Sequence, residues 1–522
     1  MLLQLDPAST VPLYRQIRDQ IRQLISSGAL GVGDRLPPSR ELAQRLGVHR
    51  TTVANAYADL TADGWIAGHV GRGTFVAESP QAAKPVHLES RAAGRGTAHP
   101  PYTATLENGY LWTTLFADAP ADDPLDFLMA DVTAAADRRM ISFTTARPAE
   151  ELFPIEEFRR ATSEVVRREG RALLQLGPSD GYPPLKEFLR QELRRQGLAV
   201  SDRELLITNG CQQALDLVRK AFLRPGDVVL LENPVYPGAI QTFNGGGVRC
   251  LGVPVTEKGV NLDALETLLN QQRVRLLLLT PSFHNPTGTT LSLDARKRVL
   301  ELAARHQVPV VEDNIYSALR LRGRELPPLK ALDTHGLVVH LDSFSKVCFP
   351  GLRVGWLVAS EPVIERLRIA KQATDLHTDQ LAQAALAEFG RRGLLAKLIK
   401  RARTLYRARL ERLEAALAAH FPEDVAWTRP EGGMSLWVTL PAGLEAGALL
   451  FKARERQVLF APGRYFYFQG AQPNTLRLSF PCVKEKQIEQ GIEVLGSLIK
   501  SELRGRRGAE HDTRRRARVA LV

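Results

Sequence analysis

The chain has 522 residues, too many for one ordinary domain, so at least two folded units are expected. Hydrophobic residues make up 44 %, ample for packed cores, and the formal net charge of +12 admits an acidic macromolecule as partner without requiring one. The cysteines Cys211, Cys250, Cys348 and Cys482 form no close pair, which argues against disulfides and a zinc site and for a reducing cytoplasm. Asp6 and Pro7 interrupt any apolar leader, and the run 276–280 is too short to span a bilayer.

Residues 12–27 place Leu13, Ile17, Ile21, Leu24 and Ile25 at helical spacing, and Gly28 stops that helix. Next, Ser39 is positioned to cap a helix through about Leu46, Gly47 makes a tight turn, and a second helix is expected from about His49 to Ala62, ending at Gly64. Trp65-Ile66 and Thr74-Phe75-Val76 read as short strands around a glycine-rich tip. Helix, turn, helix and hairpin in this order is the winged helix-turn-helix plan, whose second helix lies in the DNA major groove. That puts His49, Arg50, Thr51, Thr52 and Asn55 at base edges, Arg40 at a phosphate or base, and Arg72 in the minor groove or on the backbone. Periodicity assigns Val53, Ala56, Tyr57 and Leu60 to the core instead. The unit, about 9–77, resembles the GntR-type winged helix-turn-helix through LPPSRELA (36–43), RTTV (50–53) and GRGTFV (71–76). The resemblance implies that Arg40, Arg50, Thr52 and Arg72 contact DNA.

Residues 78–139 are rich in Ala, Pro, Gly and polar residues in their first half and read as a linker. From 140 to 500 the pattern is α/β: buried strands at 204–209, 227–232, 275–280 and 308–313 alternate with helical stretches, implying a largely parallel sheet covered on both faces. Seven arginines stand among residues 501–522, which read as a frayed, disordered basic tail.

In the second unit one lysine, Lys346, interrupts the core-like run 339–356. A lysine amine can condense with a carbonyl cofactor. Pyridoxal 5′-phosphate needs in addition a phosphate cup, an acid at its ring nitrogen, a donor to the ring oxygen and a face to stack on. Gly210, Cys211 and Gln212 open a helix after a buried strand and can hold phosphate through backbone N–H groups. Tyr236 can stack, Asn285 in HNPTG and Tyr316 can meet the ring oxygen, and Asp313 ends a strand where α/β sheets bind ligands. Ser343, Ser345 and Arg353 flank Lys346 as further phosphate contacts, and Arg477 in TLRLSF offers a fork for an α-carboxylate.

HNPTG, DNIY, SFSK with GLRVGW, and RLSF together resemble fold type I, class I/II aminotransferases over about 140–500. One departure stands out: where that family commonly has a tyrosine reaching the phosphate of the neighbouring subunit, this chain has Leu176. A winged-helix head joined to an aminotransferase-like domain resembles the MocR subfamily of GntR-type regulators. That resemblance implies an amino acid or amine sensed through an aldimine at Lys346, and a homodimer with a shared site and often swapped heads. Two other readings remain open at this point. One is a working 2-aminoadipate or aromatic aminotransferase with a vestigial head. The other is a regulator whose second domain only dimerises.

Overall fold

The computed structural model describes residues 13–26, 30–31, 33–62, 65–69, 73–77 and 140–519, together with Leu3 and Leu5. Gly28, Gly64, the wing tip with Arg72, and the 78–139 stretch lie outside the described residues. The chain divides into two units, Met1–Leu115 and Phe116–Val522.

In the first unit the helices Leu13–Ser26, Ser39–Leu46 and Arg50–Ala62 precede a hairpin, Ile66–His69 with Gly73–Val76, whose second strand also pairs antiparallel with Arg35–Leu36. Ile17 and Ile21, Leu42 and Ala43, and Val53, Ala56, Tyr57 and Leu60 form one core, so the helical periodicity of the sequence is the buried face. Gly47 closes the second helix at φ +64, its N–H directed at the Ala43 and Gln44 carbonyls. The expected Ser39 cap is not formed. Pro38 holds the N-cap position at φ −54 and Ser39 is already helical, because the fixed proline φ sets the chain direction one residue earlier.

The second unit is built on an eight-stranded sheet in the order Leu205–Thr208, Gly355–Val358, Val338–Ser343, Val310–Asp313, Val274–Leu279, Val228–Asn233, Arg249–Thr256, Gly259–Val260. Neighbours are parallel from Val338–Ser343 through Arg249–Thr256, while Gly355–Val358 runs antiparallel to both of its neighbours. Side chains alternate between two cores. Leu206, Val229, Leu231, Val311, Leu341 and Leu357 meet the helices Gly210–Phe222, Pro237–Asn244 and Glu361–Asp375. Leu230, Leu277, Leu279, Val310 and Val338 meet Leu262–Gln271 and Leu293–His306. Burial on both faces is why these strands read as near-continuous apolar runs.

A four-stranded antiparallel sheet, Ala426–Trp427, Ser435–Thr439, Thr475–Ser479, Ala461–Pro462, follows with the helices Leu394–His420, Ala446–Glu455 and Glu485–Val519. The last helix corrects the reading of 501–522 as a disordered tail: it continues unbroken through Val519. Arginine, alanine and glutamate are good helix formers, and the docked first half of the helix has already met the cost of nucleation. Among the described residues no helix is long and apolar enough to cross a membrane.

Candidate cofactor and effector site

Lys346 ends a short 3-10 turn, Phe344–Lys346, at the C-terminal end of the central strand Val338–Ser343. Its Nζ donates to the Ala146 carbonyl at 2.7 Å and lies 5.6 Å from the Tyr316 ring centroid. Burial and the Arg477 charge lower its pKa to about 8, against the opposing pull of Asp313. At neutral pH a usable fraction of this amine is therefore unprotonated, as a nucleophile requires.

The phosphate cup forms where the strand Leu205–Thr208 turns into the helix Gly210–Phe222. Gly210 has φ +78, a conformation that favours glycine, and a Cβ there would meet Arg353 Nη2 at 2.6 Å, so a larger residue would displace the guanidinium. Arg353, itself at φ +54, reaches Ser345 Oγ and the Asn209 carbonyl, each at 3.4 Å. Asp313, Asp342, Lys346 and Arg353 all act on the Cys211 thiol, which burial pushes well above its ordinary pKa. Ser343 is turned inward: its Oγ accepts from the Ser345 N–H at 3.0 Å and donates to the Val354 carbonyl at 3.0 Å. Its place is to shape the turn that presents Ser345.

Asp313 is the last residue of the strand Val310–Asp313, and burial raises its carboxyl to about 6. Tyr236 opens the helix Pro237–Asn244, and burial lifts its hydroxyl to about 12. Its ring packs so close to Gly238 that a Cβ there would meet Tyr236 Cε1 at 2.4 Å. Tyr316 is buried and its hydroxyl is also pushed up by burial. Arg477, from the strand Thr475–Ser479, donates through Nη1 to Asn285 Oδ1 at 2.9 Å and through Nη2 to the Thr144 carbonyl. Burial lowers its pKa to about 10, so it remains a cation at neutral pH.

Two buried polar atoms at this site, Gln212 Oε1 and Arg477 Nε, have no protein partner. Buried polar atoms are normally paired, so these mark where a polar ligand fits. A pyridine ring carrying a phosphate suits the donor set, which brings the Lys346, Arg353 and Arg477 cations, the Asp313 carboxyl and the Tyr236 and Tyr316 rings into one neighbourhood.

The structure adds groups that the sequence reading missed. The Thr144 and Ala146 carbonyls are backbone and leave no trace in residue types. Lys371 and Asp375 hold Asn209 and Gln213 from behind the cup. Lys371 falls on the buried stripe of its helix with Ile364 and Leu367, which is the signal that could have found it. Glu232, raised to about 8 by burial, stands 3.4 Å from His284 Nε2, immediately before Asn285.

In the head, Arg40, His49, Arg50, Thr51 and Asn55 are exposed and Thr52 is half-buried. All but Arg40 lie on or just before the helix Arg50–Ala62: Thr51 and Asn55 fall on the face opposite Val53, Ala56 and Leu60, His49 and Arg50 at its start, and Thr52 at the edge of the buried face. His49 Nδ1 lies 2.8 Å from Thr51 Oγ1.

Fold and site define a winged helix-turn-helix unit followed by a fold type I aminotransferase-like domain. The family "Aminotransferase class I and II" matches residues 140–495, and "Bacterial regulatory proteins, gntR family" matches 13–76. The 2-aminoadipate transaminase of Thermus thermophilus is 43 % identical over 367 residues, 70 % of this chain and 91 % of that protein. An uncharacterized HTH-type transcriptional regulator, YisV of Bacillus subtilis, is 32 % identical over 501 residues, 93 % of this chain and 95 % of its own. Among solved structures, LysN, the α-aminoadipate aminotransferase of Thermus thermophilus complexed with N-(5′-phosphopyridoxyl)-L-leucine, superposes with a TM-score of 0.69 at 40 % identity, covering 75 % of this chain and 99 % of that one. The chain belongs to the aminotransferase class I and II family and, over most of its length, to the MocR-type GntR regulators that join such a domain to a winged head.

Proposed function

We propose that this chain is a pyridoxal-phosphate-dependent transcription regulator that senses an amino acid or amine at Lys346 and binds double-stranded DNA through its head. A cytoplasmic location accords with that role. The observation that carries the reading is the convergence of Lys346, Asp313, Tyr316 and Arg477 in a chain that begins with a GntR unit. When bound, pyridoxal phosphate supplies an electrophilic carbonyl for amines and an electron sink. Lys346 offers the amine, lowered to about 8 by burial and Arg477. The Asp313 carboxyl, near the Lys346 cation, holds a proton at the ring nitrogen. Gly210, Cys211, Gln212, Ser345 and Arg353 bind the phosphate, with Ser343 shaping the turn. Tyr236 stacks on the ring, and Asn285 and Tyr316 contact its oxygen. Arg477 takes the ligand carboxylate as a bidentate fork.

The effector acts through its different affinity for two states of the protein, and a tenfold change in DNA affinity corresponds to about 1.4 kcal/mol of coupling. The working unit in this proposal is a homodimer with a shared site, often with heads swapped. Leu174 and Leu176 are 82 % and 78 % exposed, apolar surface suited to a second subunit. Within the head, Arg40, His49, Arg50, Thr51, Thr52, Asn55 and Arg72 face the duplex.

A second reading, a working aminotransferase, is favoured by the likeness to the transaminases and by the retained Lys346 and Asp313. Footprinting on DNA upstream of the protein's own gene, with pyridoxal phosphate and an amino-acid panel, separates the readings. A discrete footprint that changes with one amino acid supports the regulator. No footprint at low or physiological salt, with steady turnover against 2-oxoglutarate, supports the enzyme.

A further inference from the structure

The helix Gly210–Phe222 begins in an unusual way. Asparagine at an N-cap ordinarily turns its side chain onto the first helical N–H groups. Asn209 is the N-cap here, yet its side chain caps nothing. It turns away instead, and Asn209 Nδ2 donates to Asp375 Oδ2 at 2.6 Å. The Gln213 Nε2 donates to the same oxygen at 2.6 Å, and Gln213 Oε1 accepts from the Asn209 N–H at 2.7 Å. Asp375 is in turn gripped through both oxygens, each at 2.8 Å, by Lys371 Nζ, which also lies 3.4 Å from Gln213 Oε1. Lys371 is fully buried. This network of four residues, closed by the Asn209 backbone N–H, therefore pulls the N-cap side chain off its own helix and leaves the N-terminus to an anion.

The charges in that network are placed with a consequence. Asp375 is what holds Asn209 and Gln213, but a carboxylate behind a phosphate cup repels a phosphate dianion. Lys371 cancels that charge where burial leaves little water to screen it. We propose that Lys371 and Asp375 are positioning residues for the cofactor phosphate, fixing the Asn209–Gly210 turn in its uncapped form while keeping its surroundings neutral. This rests on the reading that the Gly210–Gln212 turn binds that phosphate.

The test is an absorption titration of full-length protein with two probes, pyridoxal 5′-phosphate and pyridoxal, which lacks the phosphate. Wild type, Lys371→Met and Asp375→Asn are compared, with melting curves for each. Lys371→Met, which strands Asp375 beside the cup, is expected to weaken the phosphorylated probe at least about tenfold, and Asp375→Asn by a smaller factor. Both should bind pyridoxal within about twofold of wild type. Equal loss for the two probes, or loss for neither, overturns the proposal, since a packing role alone does not distinguish them. If Lys371→Met does not fold, Asp375→Asn decides on the same criterion. Failure of the wild type to prefer the phosphorylated probe overturns the site reading itself.

Discussion

Arg477 Nη1 donates to Asn285 Oδ1 at 2.9 Å, so the residue assigned to the ligand carboxylate and the residue assigned to the cofactor ring oxygen share one hydrogen bond. In the proposed site, ligand and cofactor contacts therefore run through one hydrogen-bonded pair. Arg477→Lys cannot keep both the Asn285 bond and a bidentate carboxylate contact. It is expected to weaken carboxylate-bearing effectors by roughly 10–100-fold, about 1.5–3 kcal/mol for charge-assisted bonds. Amines without a carboxylate should lose much less. Ligand titrations followed by cofactor absorbance check this.

Capture of the cofactor by Lys346 should depend on pH. The amine is held at about 8, below its ordinary value, so its reactive neutral fraction grows as pH rises through the neutral range. The capture rate should climb about tenfold per unit below that value and level off above it. Arg477 is one cause of the depression. In Arg477→Leu the profile should move to higher pH, which stopped-flow absorbance can follow.

Gly210→Ala adds a methyl at φ +78 that meets Arg353 Nη2 at 2.6 Å. The αL strain costs about 1 kcal/mol, and the displaced guanidinium leaves the cup. Cofactor affinity is expected to fall about tenfold, with the head's DNA affinity unchanged. Equilibrium titration and a DNA-binding assay on the same preparation test both halves.

Leu176 stands where the family commonly has a tyrosine reaching the phosphate of the neighbouring subunit. In the proposed homodimer with a shared site, Leu176→Tyr should tighten cofactor binding about tenfold, one added charge-assisted hydrogen bond. An unchanged dissociation constant would count against the shared site.

Much of this was legible in the sequence, and the reasons are physical. Head helices with Ile17, Ile21, Val53 and Leu60 at period 3.6 declare their buried faces, and strands such as 275–280 are apolar because both faces are covered. Lys346, Asp313, Asn285 and Arg477 sit in short motifs far apart in sequence, and the fold brings them together. What the sequence hid depends on contacts far along the chain. Asn209 and Asp375 are 166 residues apart, and an i,i+4 pair such as Lys371 and Asp375 reads as an ordinary surface ion pair until its burial is known. Local competition also matters: at Ser39 a proline takes the capping position, and the Ser343 hydroxyl donates to the Val354 carbonyl. The arginine-rich end carries a charge pattern typical of a frayed tail together with the helix propensity of arginine, alanine and glutamate, and the helix runs to Val519.

The most direct measurement is the ligand response of Lys346→Ala on the DNA site found by footprinting. Fluorescence anisotropy with labelled operator would compare it with wild type, with pyridoxal phosphate and each amino acid of the panel. Lys346→Ala is expected to bind the operator as tightly as wild type, to show no visible cofactor band, and to be unmoved by the amino acid that shifts wild type. A variant that still responds to that amino acid would contradict a sensor built on Lys346.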